Sequence, residues 1–260
     1  LGFTGFRCDA AYKVPAALWR RLVARARAAD PGALFVAETL GCRLAEMQAL
    51  GEAGFDYFYN SSKWWDFREP WALDQHERFR RVAPSLAFPE SHDTERLAAE
   101  TGGHAGVQRQ RYAFAALFSE GVQLTVGYEF GFARRLDVVA TRPADWEAPR
   151  FDLSAFIARV NALKLRHPLL RVEGRLRAAA TAGEDVTVLQ RWSDDAGSDR
   201  GLVVVNRHPD APRETPLDVS DLRGEPRLYR PCAEGAPADG EPLRLPLRLD
   251  PAEVALVAER

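Results

Sequence analysis

The chain has 260 residues, 46% hydrophobic and 28% charged, with a formal net charge of -2. That supplies a sizeable core for one large domain or one and a half, and the scattered, balanced charges give no argument for nucleic acid or an anionic membrane surface as the main partner, so neither is expected. No apolar run approaches the roughly 20 residues that span a bilayer. Three cysteines, Cys8, Cys42 and Cys232, show no C-x-x-C spacing, so neither a disulfide framework nor a zinc site is indicated and a reducing, cytoplasmic setting is expected.

The chain opens on Gly5-Phe6-Arg7-Cys8-Asp9, which reads as a strand with Gly5, Arg7 and Asp9 on one face and Phe6 and Cys8 on the other. A charged pair on the inner face of a buried strand is costly unless paired or used, so a structural ion pair and a functional site stand as equal readings. With no Met or leader before that strand, the sequence is expected to be the C-terminal part of a longer chain. Pro15 suits the first turn of a helix over 16–29, and Asp30-Pro31-Gly32 stops it. The apolar run Ala33-Leu34-Phe35-Val36-Ala37 then ends at Glu38, repeating the order of strand, terminal acid, loop and helix.

The pattern recurs. A short helix over 44–50 precedes a strand over 55–59, an aromatic loop over 60–67 and a helix over 70–82. A short strand near 85–88, flanked by Pro84 and Pro89, runs into Glu90-Ser91-His92-Asp93. A helix over 108–119, a strand over 122–126, a polar insertion over 133–150 and a helix over 153–166 follow. Strands joined by helical crossovers, without a Gly-rich phosphate turn, indicate strands of a (β/α)8 TIM barrel, an α/β fold of which three units are missing from the front. Beyond Pro168, short alternating runs separated by Gly, Pro and Asp read as an antiparallel β domain. The expected boundaries are 1–170 for the barrel part and 171–260 for the β domain, a supporting element with no cluster of candidate catalytic residues.

Asp9, Glu38 and Asp93 each stand where a strand gives way to its loop, which is where barrels of this kind build active sites. Arg7 can keep Asp9 ionised through a charge-assisted hydrogen bond, suiting a nucleophile, while an acid whose pKa is raised by its neighbours suits a proton donor. Two such carboxyls are what glycoside cleavage with retention needs. A metal site competes for the same residue types, but there is no second nearby His and no H-E-x-x-H spacing, so no metal or cofactor is expected.

Gly5-Phe6-Arg7-Cys8-Asp9, Phe35-Val36-Ala37-Glu38 and Ser91-His92-Asp93 resemble, in order and spacing, the second, third and fourth sequence signatures of the α-amylase family, glycoside hydrolase family thirteen. Gly127-Tyr128-Glu129-Phe130-Gly131 resembles the segment after that family's eighth strand. The resemblance implies barrel strands four to eight plus the family's C-terminal β domain, with Asp9 as nucleophile, Glu38 as general acid/base and Asp93 as stabiliser of the transition state. It implies substrate contacts from Arg7 and His92 and from Tyr12 and Lys13, and a retaining glycosidase or transglycosylase acting on α-1,4-glucans or malto-oligosaccharides. Arg142-Pro143-Ala144-Asp145-Trp146-Glu147, the helix containing Asn161, and Pro15 are similar to the maltosyltransferases that use maltose 1-phosphate. His92 departs from that branch and matches hydrolases and other transglycosylases, which leaves the subfamily open. A non-catalytic glucan-binding remnant is the alternative of another class, and the 260-residue chain alone is expected to be inactive.

Sugar faces stack on aromatic rings, so Trp64 and Trp65 are candidate substrate contacts, with packing onto the barrel rim as the structural alternative. Glu90 is either a further cleft acid or a partner of Arg96. His76, His104, His167 and His208 read as ordinary surface or helix-end residues, and Cys8 as a buried thiol.

Overall fold

The structure, a computed structural model, describes residues 2–180, 185–194, 196 and 199–259. Five parallel strands, β1 (Gly5–Cys8), β2 (Leu34–Ala37), β3 (Tyr57–Tyr59), β4 (Ser85–Ala87) and β5 (Gly121–Val122), lie side by side in chain order. Sequential order with parallel pairing requires a crossover between every two strands. These run through α1 (Ala16–Ala29), α2 (Leu44–Glu52), α3 (Trp71–Phe79), and α4 (Leu97–Glu100) with α5 (Ala105–Phe118). After β5 comes α6 (Ser154–Arg166).

Register assigns the two faces of the sheet. Arg7 pairs with Val36, Val36 with Tyr57, and Tyr59 with Leu86, so these side chains share the face on which Asp9 and Glu38 continue the alternation. The opposite face carries Cys8, Ala37 and Phe58, buried with Val23 of α1 and Met47 and Leu50 of α2. Arg27 of α1 fixes the entry to β3: its guanidinium holds Asp56 at 2.7 Å, and the same Asp56 oxygen accepts the Phe35 N–H at 2.7 Å.

The expected elements are present with shifted ends. The fifth strand is confined to Gly121–Val122, and the Gln123 N–H donates to the Ala87 carbonyl at 2.8 Å. Beyond it, Gly127 and Gly131 both take positive φ and bracket a single turn around the fully buried Tyr128. A Cβ at Gly127 would lie 2.2 Å from the Phe132 ring and one at Gly131 2.5 Å from Phe151, so glycine is required at both.

The remaining strands form an antiparallel sheet and a separate two-stranded antiparallel pair. In chain order they are β6 (Arg175–Ala178), β7 (Val186–Trp192), β8 (Arg200–Asn206), β9 (Arg213–Thr215), β10 (Arg227–Tyr229), β11 (Glu241–Pro242), β12 (Leu247–Leu249) and β13 (Val254–Ala258). The six-stranded sheet runs β11-β10-β13-β8-β7-β6, and β12 pairs with β9. Alternation explains its two cores: Leu189, Val203, Val205 and Leu256 pack on Phe114 and Phe118 of α5, while Val188, Leu202, Val204 and Val257 pack on Leu217, Leu247 and Leu249. Among the described residues no helix is long and apolar enough to cross a membrane.

The β1 end of the parallel sheet is apolar and uncovered. Phe3 is 73% exposed, Phe6 45%, and Leu18 and Leu22 of α1 are 44% and 46% exposed, while β1 pairs with β2 alone among the described strands. An open strand edge beside apolar surface is a template for association. The 260-residue chain expressed alone is therefore expected to self-associate as its concentration rises; light scattering that shows a stable monomer at high concentration would contradict this.

Candidate active site

Asp9 leaves β1 with its side chain 78% exposed and in contact with the Arg7 guanidinium. Residues after it turn at once: Ala10 takes a left-handed conformation (φ 39°), and the Ala11 N–H reaches the Glu38 carbonyl at 3.2 Å. Glu38, at the end of β2, is held on both carboxylate oxygens by main-chain donors. Ala10 N–H donates to Oε2 at 3.0 Å and Leu40 N–H to Oε1 at 2.7 Å. Its carboxylate is thereby fastened to the residue that follows Asp9.

Asp93 stands six residues beyond β4, in a tight turn. Ser91 N–H donates to the Thr94 hydroxyl at 3.0 Å, that hydroxyl donates to the Ser91 carbonyl at 3.2 Å, and the Asp93 N–H donates to the Ser91 hydroxyl at 3.2 Å. His92 Nε2 lies 3.2 Å from the Asp93 carboxylate, whose side chain is 68% exposed. The link from this turn to the Asp9 side of the sheet is aromatic. The Arg7 guanidinium sits over the Tyr59 ring at 5.8 Å, Tyr59 packs edge-on against Phe88 at 5.6 Å, and Phe88 leads into the turn. Burial raises the Tyr59 phenol pKa, opposed by Arg7, so the hydroxyl stays protonated and in contact with Gln123.

The aromatic loop divides by burial. Trp64 is 52% exposed and meets Phe88 edge-on at 5.9 Å. Trp65 corrects the expectation: it is 2% exposed, donates its indole N–H to the Glu69 carbonyl at 2.6 Å and packs on Phe67, Phe114 and Phe118, so it is a core residue with no face for a sugar. Tyr12, in the turn Ala11–Lys13, is half-buried against the core around Cys8 and Phe35, which commits its ring to packing, whereas Lys13 is exposed.

Three further expectations resolve. Cys8 is buried, and burial raises its thiol pKa, as suits an inert thiol. His76 is not a surface residue: it is 5% exposed, 3.3 Å from Glu173 and 2.8 Å from the Gly174 carbonyl. His167 is the expected helix-end residue, closing α6, and is buried edge-on to Tyr229 at 4.5 Å. His104 caps α5 by accepting the Val107 N–H at 3.2 Å. Glu90 is fully buried and paired with Arg96 at 3.0 Å. Its spacing of six from Arg96 was the one trace of that pair in the sequence. Among the described residues no group of three or more His, Cys, Asp and Glu is placed to hold a metal ion.

No protein-family model matches the chain. The α-1,4-glucan:maltose-1-phosphate maltosyltransferase of Burkholderia pseudomallei (strain K96243) is 32% identical over 227 residues, which are 81% of this chain and 20% of that protein. The protein of the same name from Myxococcus xanthus (strain DK1622) is 28% identical over 232 residues, 84% of this chain and 34% of that protein. The chain thus spans between a fifth and about a third of the length of these curated relatives. Among solved structures, the α-amylase of Geobacillus thermoleovorans complexed with acarbose superposes with a TM-score of 0.74 at 18% identity, over 99% of this chain and 60% of that one. An Anoxybacillus α-amylase superposes with a TM-score of 0.73 at 15% identity, over 99% and 59%. The two solved structures establish a common fold that takes in both sheets.

Proposed function

The chain is a homologue of the maltose-1-phosphate maltosyltransferases of the α-amylase family, and from that premise we propose that it supplies the C-terminal part of a retaining transglycosylase acting on α-1,4-glucan. Residues 1–170 form strands four to eight of the catalytic barrel, and residues 171–260 the β domain. In this reading Asp9 attacks the anomeric carbon of a donor sugar, and Glu38 gives its proton to the departing oxygen. Glu38 then takes a proton from the acceptor hydroxyl that displaces Asp9, while Asp93 stabilises the positive charge that develops on the ring in both steps. The observation that carries the reading is the bond from the Ala10 N–H to Glu38 Oε2, which locks the acid/base carboxylate to the backbone beside the nucleophile across two adjacent strand ends. In this reading Arg7, His92, Lys13 and Trp64 contact the substrate.

Maltose 1-phosphate is the favoured donor, because the sequence relatives named above are named for it and bracket most of this chain. The complete protein should be incubated with maltose 1-phosphate, with α-1,4-glucan, and with both. Glucan lengthening in steps of two glucose units with release of phosphate, only when both are present, is expected. Shortening of glucan by itself would replace the transferase with a hydrolase, and glucan binding without turnover would indicate a remnant.

A further inference from the structure

We propose that the buried pair Glu90 and Arg96 is a positioning device for Asp93: it brackets the turn over 91–94, joins it to the loop after β5, and so sets where the Asp93 carboxylate stands during glycosyl transfer. The proposal rests on the role given to Asp93 above.

The two residues flank Asp93 by three positions on either side, and both are withdrawn from solvent, Glu90 at 0% and Arg96 at 1% exposure. Each reaches across to another segment. Glu90 Oε2 accepts the Leu97 N–H at 2.7 Å where α4 begins, and the Glu90 carbonyl accepts the Thr125 hydroxyl at 3.0 Å. Arg96 donates through Nε to the Phe132 carbonyl at 3.2 Å and through Nη1 and Nη2 to the Val126 carbonyl at 3.1 Å. One guanidinium therefore cross-links the loop that bears Asp93 to the segment turning around Tyr128.

Stability alone does not account for an ion pair in this place, since apolar residues of the same volume commonly serve a core as well or better. What the pair adds is a fixed geometry, and Glu90 Oε1 shows that it is held by charge: it lies 3.0 Å from Arg96 Nε but has no aligned hydrogen bond. The charged and titratable groups facing Glu90 are Arg96, Lys63, Glu100 and the Tyr128 hydroxyl. Lys63 is itself engaged by Glu100 at 3.1 Å. Burial pushes the Glu90 carboxyl up to about 7, against the pull of Arg96. Below that pH Glu90 is neutral and its attraction to Arg96 falls; above it the pair is fully charged.

Glu90→Gln in the complete enzyme keeps the shape and the acceptor for Leu97 and removes the charge. Its kcat is expected to fall roughly 10- to 100-fold, the cost of misplacing a reacting group by an ångström or less, with KM changed less than about twofold. The limb of the kcat profile near pH 7 should vanish, and Glu90→Asp should restore that limb with part of the rate. Wild-type kcat and pH profile for Glu90→Gln, or a loss of kcat with the limb unchanged, would overturn the proposal. Asp9→Ala run alongside separates the two ideas: an active Asp9→Ala faults the reading of the site, whereas an inactive one beside a wild-type Glu90→Gln faults the positioning role alone. Should Glu90→Gln not accumulate in folded form, Arg96→Lys decides, since it keeps the charge but loses the fork that grips two carbonyls. It is expected to show the same kcat loss at unchanged KM, and wild-type kcat would sink the idea.

Discussion

Replacing Asp9 by Ala in the complete enzyme is expected to cut glycosyl transfer on the order of 10⁴-fold or more while leaving the fold intact. Removing a covalent nucleophile takes away the reaction path rather than one stabilising contact, which is why such losses are among the largest seen. The structure predicts the second half of the result. The Asp9 side chain is 78% exposed and its ion-pair partner is Arg7, itself 30% exposed, so the change removes a solvent-screened ion pair. Melting temperature and glucan affinity should stay close to wild type. Near-normal turnover with α-1,4-glucan or maltose 1-phosphate would exclude Asp9 as nucleophile. An inactive variant that is also unfolded would mean that the Arg7 and Asp9 pair is structural.

Arg191→Met is expected to destabilise the protein by about 3–5 kcal/mol, the range for breaking a buried charged network. Arg191 projects from β7 at 0% exposure, on the opposite sheet from the acids. Its guanidinium donates to the carbonyls of Leu169 at 2.9 Å, Phe118 at 2.6 Å and Val172 at 2.6 Å. Phe118 is the last residue of α5, where helix carbonyls have no partner within the helix, so Arg191 caps α5 from the β sheet. Burial pulls the guanidinium pKa down to about 10, with Glu173 and Glu120 opposing, and it remains charged at neutral pH. Methionine fills the stem's volume but strands two buried acceptors, the Leu169 and Phe118 carbonyls, each costing about 1–3 kcal/mol before relaxation, and leaves the part-buried Val172 carbonyl to water. Urea unfolding of the complete protein checks this; a loss below about 1 kcal/mol would mean that water replaces the guanidinium, contrary to the burial seen.

Much of the parallel sheet was legible because its signals are local. The run Leu34-Phe35-Val36-Ala37 is apolar at every position, as strands of a parallel sheet commonly are, and it ends where the carboxylate of Glu38 appears. The period of α1 over Ala16–Ala29 and its stop at Asp30 are likewise written in neighbouring residues. Strand ends were less legible: β5 stops at Val122, and beyond it Gly127 and Gly131 turn the chain around Tyr128, where Phe132 and Phe151 leave no room for a Cβ. The short strands β6 and β9 begin with Arg175 and Arg213, whose charges obscured the alternation.

Which acids end neighbouring strands can be read from adjacent residues, because period-2 alternation puts Arg7 and Asp9 on one face and a run of apolar residues delivers Glu38 at its end. Adjacent residues could not distinguish Trp64 from Trp65, or a cleft acid from the buried partner of Arg96. In an irregular loop there is no period to tell inside from outside, so Trp65 is a core residue only because Phe114 and Phe118 of α5 arrive beside it. Glu90 is buried only because Arg96 and the segment after β5 close over it. Tertiary packing decided those cases, since solvent access at an irregular position depends on which distant segment covers it.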